Sequence, residues 1–252
     1  MTLLIVDSLC KSFGGVRAVD DVSFQVRSGE LLALIGPNGA GKSTCFNMVN
    51  GQLAPDKGRV LLDGEDLVGR PPHEIWRRGV ARTFQIAAAF ASMTAAQNVQ
   101  TALISRERKL FDMWRPARGF ARDEALGLLD QVGMADQADR PCSVLAYGDI
   151  KRVELAMALA NKPRLLLMDE PTAGMAPAER QALMALTRKL ASDAGIGVLF
   201  TEHSMDVVFG YADRLIVLAR GRLIAEGPPD VVRDDPQVRQ VYFGSGRAVA
   251  EH

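Results

Sequence analysis

Residues 31–50 read Leu-Leu-Ala-Leu-Ile-Gly36-Pro-Asn38-Gly39-Ala-Gly41-Lys42-Ser43-Thr44-Cys-Phe-Asn-Met-Val-Asn50. The first five residues are wholly apolar, as in a strand covered on both faces, and the run from Cys45 has helical spacing. The turn between them satisfies G-x-x-x-x-G-K-[ST] in the strand, loop, helix order that the motif needs. Glycines let the backbone curl until consecutive amides point inward at phosphate oxygens, and the helix N-terminus adds the positive end of its dipole. Asn38, Gly39, Gly41, Lys42, Ser43 and Thr44 are the candidate phosphate-binding residues. Lys42 would reach the β and γ phosphates and the Ser43 hydroxyl would ligate Mg²⁺, a hard cation that takes few protein oxygens beside the phosphates. Average composition makes these four fixed positions a chance match in only about 1% of chains this long.

A second motif lies 130 residues on, at Leu165-Leu-Leu-Met-Asp169-Glu170-Pro171, where an apolar strand ends in two carboxylates. A parallel strand delivers its carboxyl end into the ligand crevice, so Asp169 suits the outer shell of Mg²⁺. Glu170, one residue on, is placed to polarise a water for in-line attack on the γ phosphate. Further strands are expected at residues 3–7, 22–26, 59–62, 197–201 and 215–219; the run at 197–201 is almost wholly apolar, as expected of a strand covered on both faces, and the other four, read as alternating more, suit an antiparallel flank. Between residues 87 and 160 the periodicity turns helical, at 94–104, 120–132 and 149–160. The fold expected is α/β: one domain of 252 residues, with a nucleotide-binding core (1–86 and 161–252) and a helical insertion (87–160).

The 30 basic and 30 acidic residues cancel, which removes the electrostatic argument for a nucleic-acid or anionic-membrane binder. No apolar run approaches the roughly 18–20 residues that span a bilayer. The start, Met-Thr-Leu-Leu-Ile-Val-Asp7, lacks the basic, apolar and small-residue blocks of a secretory signal, so a cytosolic chain is expected. Cys10, Cys45 and Cys142 form no CxxC pair and read as reduced structural thiols.

In order along nearly the whole chain, the motifs resemble those of the ATP-binding subunits of ABC transporters. The resemblance implies that Phe13, in Lys-Ser-Phe-Gly-Gly, stacks on adenine, with Ala18 lining the same face. It implies that Gln85, in Arg-Thr-Phe-Gln, links the Mg²⁺ site to the helical subdomain, and that His203 is the switch histidine touching the γ phosphate. It makes Leu145-Ala146-Tyr147-Gly148-Asp149 the signature that contacts ATP bound to the opposite subunit. That signature departs from the common Leu-Ser-Gly-Gly-Gln at three places. Ala146 has no hydroxyl to donate, while Gly148 and the helix-start amides still can. Asp149 is expected as an N-cap, with Lys151 or Arg152 compensating for its charge. Ala176 stands where many relatives carry an Asp that makes a contact across the dimer.

Leu-Ala-Tyr-Gly, Ala-Gly-Met-Ala-Pro, Glu202-His-Ser-Met-Asp206 and the C-terminal run from Asp235 to Gly244 look like the ATPases of branched-chain (hydrophobic) amino acid importers, a group that also serves urea, short amides and carboxylates. Lipopolysaccharide-export ATPases are similar at the C-terminal ending. The resemblance implies a peripheral subunit on the cytoplasmic face of the inner membrane that hydrolyses ATP with Mg²⁺. Its partners would be two permease subunits, a second ATPase subunit and, indirectly, an external solute-binding protein, with no nucleic acid. A soluble regulatory ABC protein would carry a second cassette or a basic arm, and a P-loop nucleotide kinase would use residues 145–149 only as a helix start.

Overall fold

In a computed structural model of the chain, residues 1–83, 89–107 and 120–243 are described. The chain opens with the long antiparallel pair β1 (Thr2–Phe13) and β2 (Val16–Arg27), then runs through β3 (Leu31–Ile35) and α1 (Lys42–Val49) to β4 (Lys57–Leu62), β5 (Glu65–Asp66), α2 (Pro72–Arg77) and β6 (Val80–Thr83). Helices α3 (Ala95–Arg106), α4 (Arg122–Gln131) and α5 (Tyr147–Leu159) follow before β7 (Leu165–Asp169), α6 (Pro177–Ala194), β8 (Gly197–Thr201) and α7 (Met205–Tyr211). The antiparallel pair β9 (Arg214–Ala219) and β10 (Arg222–Gly227) leads into α8 (Pro229–Asp234) and α9 (Pro236–Phe243).

Two sheets result, one of order β2-β1-β4-β5 and one of order β10-β9-β3-β8-β7-β6. In the second, β9, β3, β8, β7 and β6 are mutually parallel, and β10 closes the edge antiparallel to β9. The alternation of side chains along β3 shows why its sequence is apolar throughout. Leu31, Ala33 and Ile35 face a core shared with α3 to α6, whereas Leu32 and Leu34 face a second core that holds α1 and the antiparallel sheet. All five are buried, so a charge at any of them would be sealed from water on whichever face it lay.

Three expectations need correction. The strand at 215–219 is not part of the flank: β9 pairs in parallel with β3, and its Val217 and Ile216 feed opposite cores. Strand β6 was not foreseen, because Val-Ala-Arg-Thr is four residues long and interrupted by a charge. Helix α5 begins at Tyr147 with Ala146 as its N-cap, so Asp149 lies inside the first turn, where its charge meets the helix dipole favourably instead of capping. Among the described residues, no helix is long and apolar enough to cross a membrane. Helix α3 starts where polar residues dictate: Thr94 Oγ1 accepts from the Gln97 amide at 3.2 Å while Gln97 Oε1 accepts from the Thr94 amide at 2.9 Å.

Candidate active site

The phosphate loop is shaped by two close backbone approaches. At Gly36 a Cβ would meet the Leu218 carbonyl oxygen at 2.3 Å, and at Gly41, whose φ is +104°, it would meet the Ala18 carbonyl oxygen at 2.4 Å. Any side chain there would push β9 or β2 away from the loop. Lys42, at the start of α1, is 8% exposed and donates to the Gly36 carbonyl at 2.6 Å and the Pro37 carbonyl at 3.1 Å. Burial pushes its ammonium below the ordinary lysine range, and the nearby Glu170 and Asp169 carboxylates partly restore it. Cys45, one turn on, is sealed in the core, which pushes its thiol up to about 12 and leaves it inert.

A single cavity of about 320 Å³ is lined by Phe13, Ala18, Asn38, Gly39, Gly41, Lys42, Ser43, Thr44, Glu170 and His203, together with Ala40. Residues 190 positions apart are thereby brought around one space. Phe13 ends β1 half exposed, so it is not a buried anchor, and its ring lies 5.8 Å from Lys11 Nζ.

The two acidic side chains, Asp169 and Glu170, point to different partners. Asp169 ends β7, where its Oδ1 accepts from Thr201 Oγ1 at 2.8 Å and its Oδ2 pairs with Arg82 Nη2 at 3.0 Å. Glu170 turns away because its φ is +47°, a left-handed conformation that costs a non-glycine residue about 1 kcal/mol. Its amide donates to the Thr201 carbonyl and hydroxyl, both at 3.1 Å, which holds the turn. The carboxylate so aimed meets His203 Nε2 at 2.9 Å. A carboxylate, a histidine and an ammonium thus converge on the opening of the phosphate loop.

The signature residues lie elsewhere. Ala146 and Tyr147 are exposed, and Gly148 is buried beneath Glu179 and Met175, where a Cβ would come within 3.2 Å of the Glu179 carboxylate. None of the three lines the cavity around Lys42. Lys151 does not offset Asp149 at the surface: it is 5% exposed, paired with Glu154 at 3.0 Å and placed 5.5 Å from the Tyr147 ring centre. Arg152 lies against the backbone at Gly133. Ala176 caps α6, its amide donating to Glu179 Oε2 at 3.2 Å. Gln85 falls outside the described residues.

Two residues at the site were missed as participants, Arg82 and Glu202. Glu202 is 4% exposed and accepts from the Thr172 amide at 2.9 Å, the Thr172 hydroxyl at 2.6 Å and the His203 amide at 3.1 Å. It ties the turn after Glu170 to the turn carrying His203. An amide in its place would set an N–H₂ against one of those donors. Glu202→Gln should therefore cost about 2 kcal/mol, lowering the melting temperature of a chain this size by roughly 4–8 °C in a thermal scan. Pairings 30 positions apart leave no local sequence signal; the only hint was an acidic residue at the end of an otherwise apolar strand.

The ABC transporter family pattern matches residues 19–173, and that of the branched-chain amino acid ATP-binding cassette transporters matches residues 222–248. The chain is 38% identical to the high-affinity branched-chain amino acid transport ATP-binding protein BraF of Pseudomonas aeruginosa, over 96% of this chain and 98% of that one. It is equally similar, with the same coverage, to LivG of Escherichia coli, another protein of that description. Among solved structures it superposes on the ADP conformation of MJ1267, an ATP-binding cassette of an ABC transporter, with TM-score 0.87, 34% identity and coverage of 97% of this chain and 99% of that one. The dimeric post-hydrolysis state of the cassette MJ0796, bound to ADP and Pi, follows the same fold at TM-score 0.75 and 25% identity, covering 90% of this chain and 99% of that one. With the phosphate loop, Glu170 and His203 gathered in one cavity, the chain belongs to the ATP-binding, ATP-hydrolysing subunits of the ABC transporter family.

Proposed function

We propose that the chain is the energy-coupling ATPase of an importer for branched-chain or other hydrophobic amino acids, or related small amides and carboxylates. The observation that carries this reading is the likeness to BraF and LivG along almost the whole chain, including the C-terminal region. In this reading two copies, or one copy and a sister ATPase, meet head to tail. Each ATP then lies between Lys42 and Glu170 of one subunit and Ala146, Tyr147 and Gly148 of the other. The exposure of Ala146 and Tyr147, away from their own phosphate loop, supports a role toward a second subunit.

Within one site, Phe13 and Ala18 take the base, the loop amides and Lys42 hold the phosphates, and Glu170 accepts the proton of the attacking water. His203 holds the Glu170 carboxylate from the solvent side. The donors near the loop are the Ser43 hydroxyl and the Asp169 carboxylate, hard oxygens in the small number that Mg²⁺ takes from protein. Both Asp169 oxygens already accept hydrogen bonds, which fits contact through water rather than direct ligation. Bound there, Mg²⁺ would neutralise charge developing on the β and γ phosphates. Gln85 would connect this site to the helical insertion at 87–160.

A groove of about 270 Å³ between β6 and helices α3 and α5 is walled by Trp76, Ala81, Ala102, Met157 and Ala158 together with Arg82, Thr83, Thr101, Ser105 and Glu154, a mixed apolar and polar surface against which a permease helix end would pack. Binding energy present only in the closed ATPase dimer could then be transmitted to the membrane subunits. The subunit would thus work at the cytoplasmic face of the membrane, with an external binding protein delivering solute to the permeases. The test is reconstitution with the permease pair and binding protein of a branched-chain amino acid importer. Radiolabelled leucine, isoleucine or valine should accumulate in proteoliposomes only with ATP inside the ATPase compartment; no accumulation of these or of small amides and carboxylates refutes the importer reading.

A further inference from the structure

We propose that Arg82 is a positioning residue that fixes the Asp169 carboxylate relative to the phosphate-loop helix, and so sets how strongly the site responds to Mg²⁺. The inference deepens the reading of Asp169 as a partner of Mg²⁺ and rests on it. Arg82 lies on β6, whose register sets it opposite Leu167 of β7, two residues before Asp169. Its guanidinium donates from Nη2 to Asp169 Oδ2 at 3.0 Å, and from Nη1 to Asn47 Oδ1 at 2.7 Å and Gln52 Oε1 at 3.0 Å. Its centre also lies 6.0 Å from the ring of Phe46. Asn47 and Phe46 belong to α1, the helix that begins at Lys42 and Ser43, so one side chain joins the element carrying the hydroxyl donor to the strand end carrying the carboxylate.

The pair is well shielded, with 10% of the Arg82 side chain and 18% of the Asp169 side chain exposed. Shielding makes the geometry stiff, because a charged group removed from its partners there has little water to replace them. The opposite carboxylate oxygen is held by Thr201, so Asp169 is clamped from both sides and cannot rotate without breaking a hydrogen bond. Groups that orient a metal-site carboxylate typically alter metal affinity or activity by about 10–100-fold when removed.

A lysine at position 82 keeps the charge but has no fork with which to hold Asn47, Gln52 and Asp169 together. Arg82→Lys therefore holds the electrostatic attraction for Mg²⁺ nearly constant and removes only the geometry. The full chain is titrated with a fluorescent ADP analogue in EDTA and then with rising Mg²⁺, and phosphate release from ATP is followed against Mg²⁺. The expected result for Arg82→Lys is nucleotide affinity in EDTA within about twofold of the parent, with the half-effective Mg²⁺ concentration raised about tenfold in both assays. Asn47→Ala, which frees the other end of the fork without touching Asp169, should move the Mg²⁺ requirement the same way by a smaller factor.

An unchanged Mg²⁺ requirement in Arg82→Lys, or a loss of affinity equal with and without Mg²⁺, overturns the inference. If Arg82→Lys does not fold, Asn47→Ala decides in the same terms. Asp169→Asn separates the inference from the reading beneath it. If that change leaves the Mg²⁺ requirement unmoved, the reading of Asp169 fails; if it raises the requirement while Arg82→Lys and Asn47→Ala do not, only the role of Arg82 fails.

Discussion

Glu170→Gln should abolish phosphate release while ATP remains bound. The amide is close to the carboxylate in size and leaves the left-handed backbone at φ +47° and its two hydrogen bonds to Thr201 in place. It can still meet His203, now 2.9 Å from Glu170 Oε1, so the cavity keeps its shape. What it cannot do is accept a proton from water at neutral pH. Loss of a positioned general base lowers kcat by about 10²–10⁴-fold, roughly 3–5 kcal/mol of barrier at 1.36 kcal/mol per decade. The dissociation constant for ATP should stay within a few fold, because Glu170 makes no part of the phosphate loop. Steady-state phosphate release and equilibrium binding, measured on the same preparation, give the split; turnover at the parent rate would remove Glu170 from the role of base.

The phosphate loop and the Asp169–Glu170 pair were legible because each is contiguous: its chemistry and its backbone requirements sit in one run of residues, and a strand end tells where the side chains go. The helical segments were legible from periodicity, with boundaries within a few residues for α3, α4 and α5. What could not be read was pairing between distant positions. No motif in the sequence marks Arg82 for a role, and only the parallel pairing of β6 with β7 brings it to Asp169, 87 positions away. Lys151 was expected to compensate for Asp149, yet it pairs instead with Glu154, and both side chains are buried. Strand β9 was assigned to the flank although Leu-Ile-Val-Leu-Ala is apolar throughout; Leu215 and Val217 enter one core and Ile216 and Leu218 the other, so both of its faces are covered. Gln85 lies outside the described residues, so its link to the helical insertion stands on the sequence motif.

Lys42→Met should separate function from stability in opposite directions. The ammonium is almost sealed, and burial holds its pKa below the ordinary lysine range even with Asp169 and Glu170 nearby. A protein that depresses a lysine pKa is carrying the charge at a cost, since the unfolded chain protonates that group more readily. Methionine has similar length and no charge to desolvate, so its melting temperature without ligand should equal or exceed that of the parent, although two loop carbonyls lose the Lys42 donor. The phosphates, by contrast, lose a charge-assisted partner in a shielded site, a loss of about 2–4 kcal/mol, or roughly 30- to 1000-fold in ATP affinity. Thermal shift reads both effects at once. At ATP a hundredfold above its dissociation constant the parent gains about 2.7 kcal/mol from binding. The same ATP concentration should give Lys42→Met only about 0.4 kcal/mol if its affinity is a hundredfold weaker. A variant with the parent's ATP-induced shift would show that the loop amides alone hold the phosphates, and a ligand-free melting temperature several degrees below the parent's would show that Lys42 serves the fold through Gly36 and Pro37.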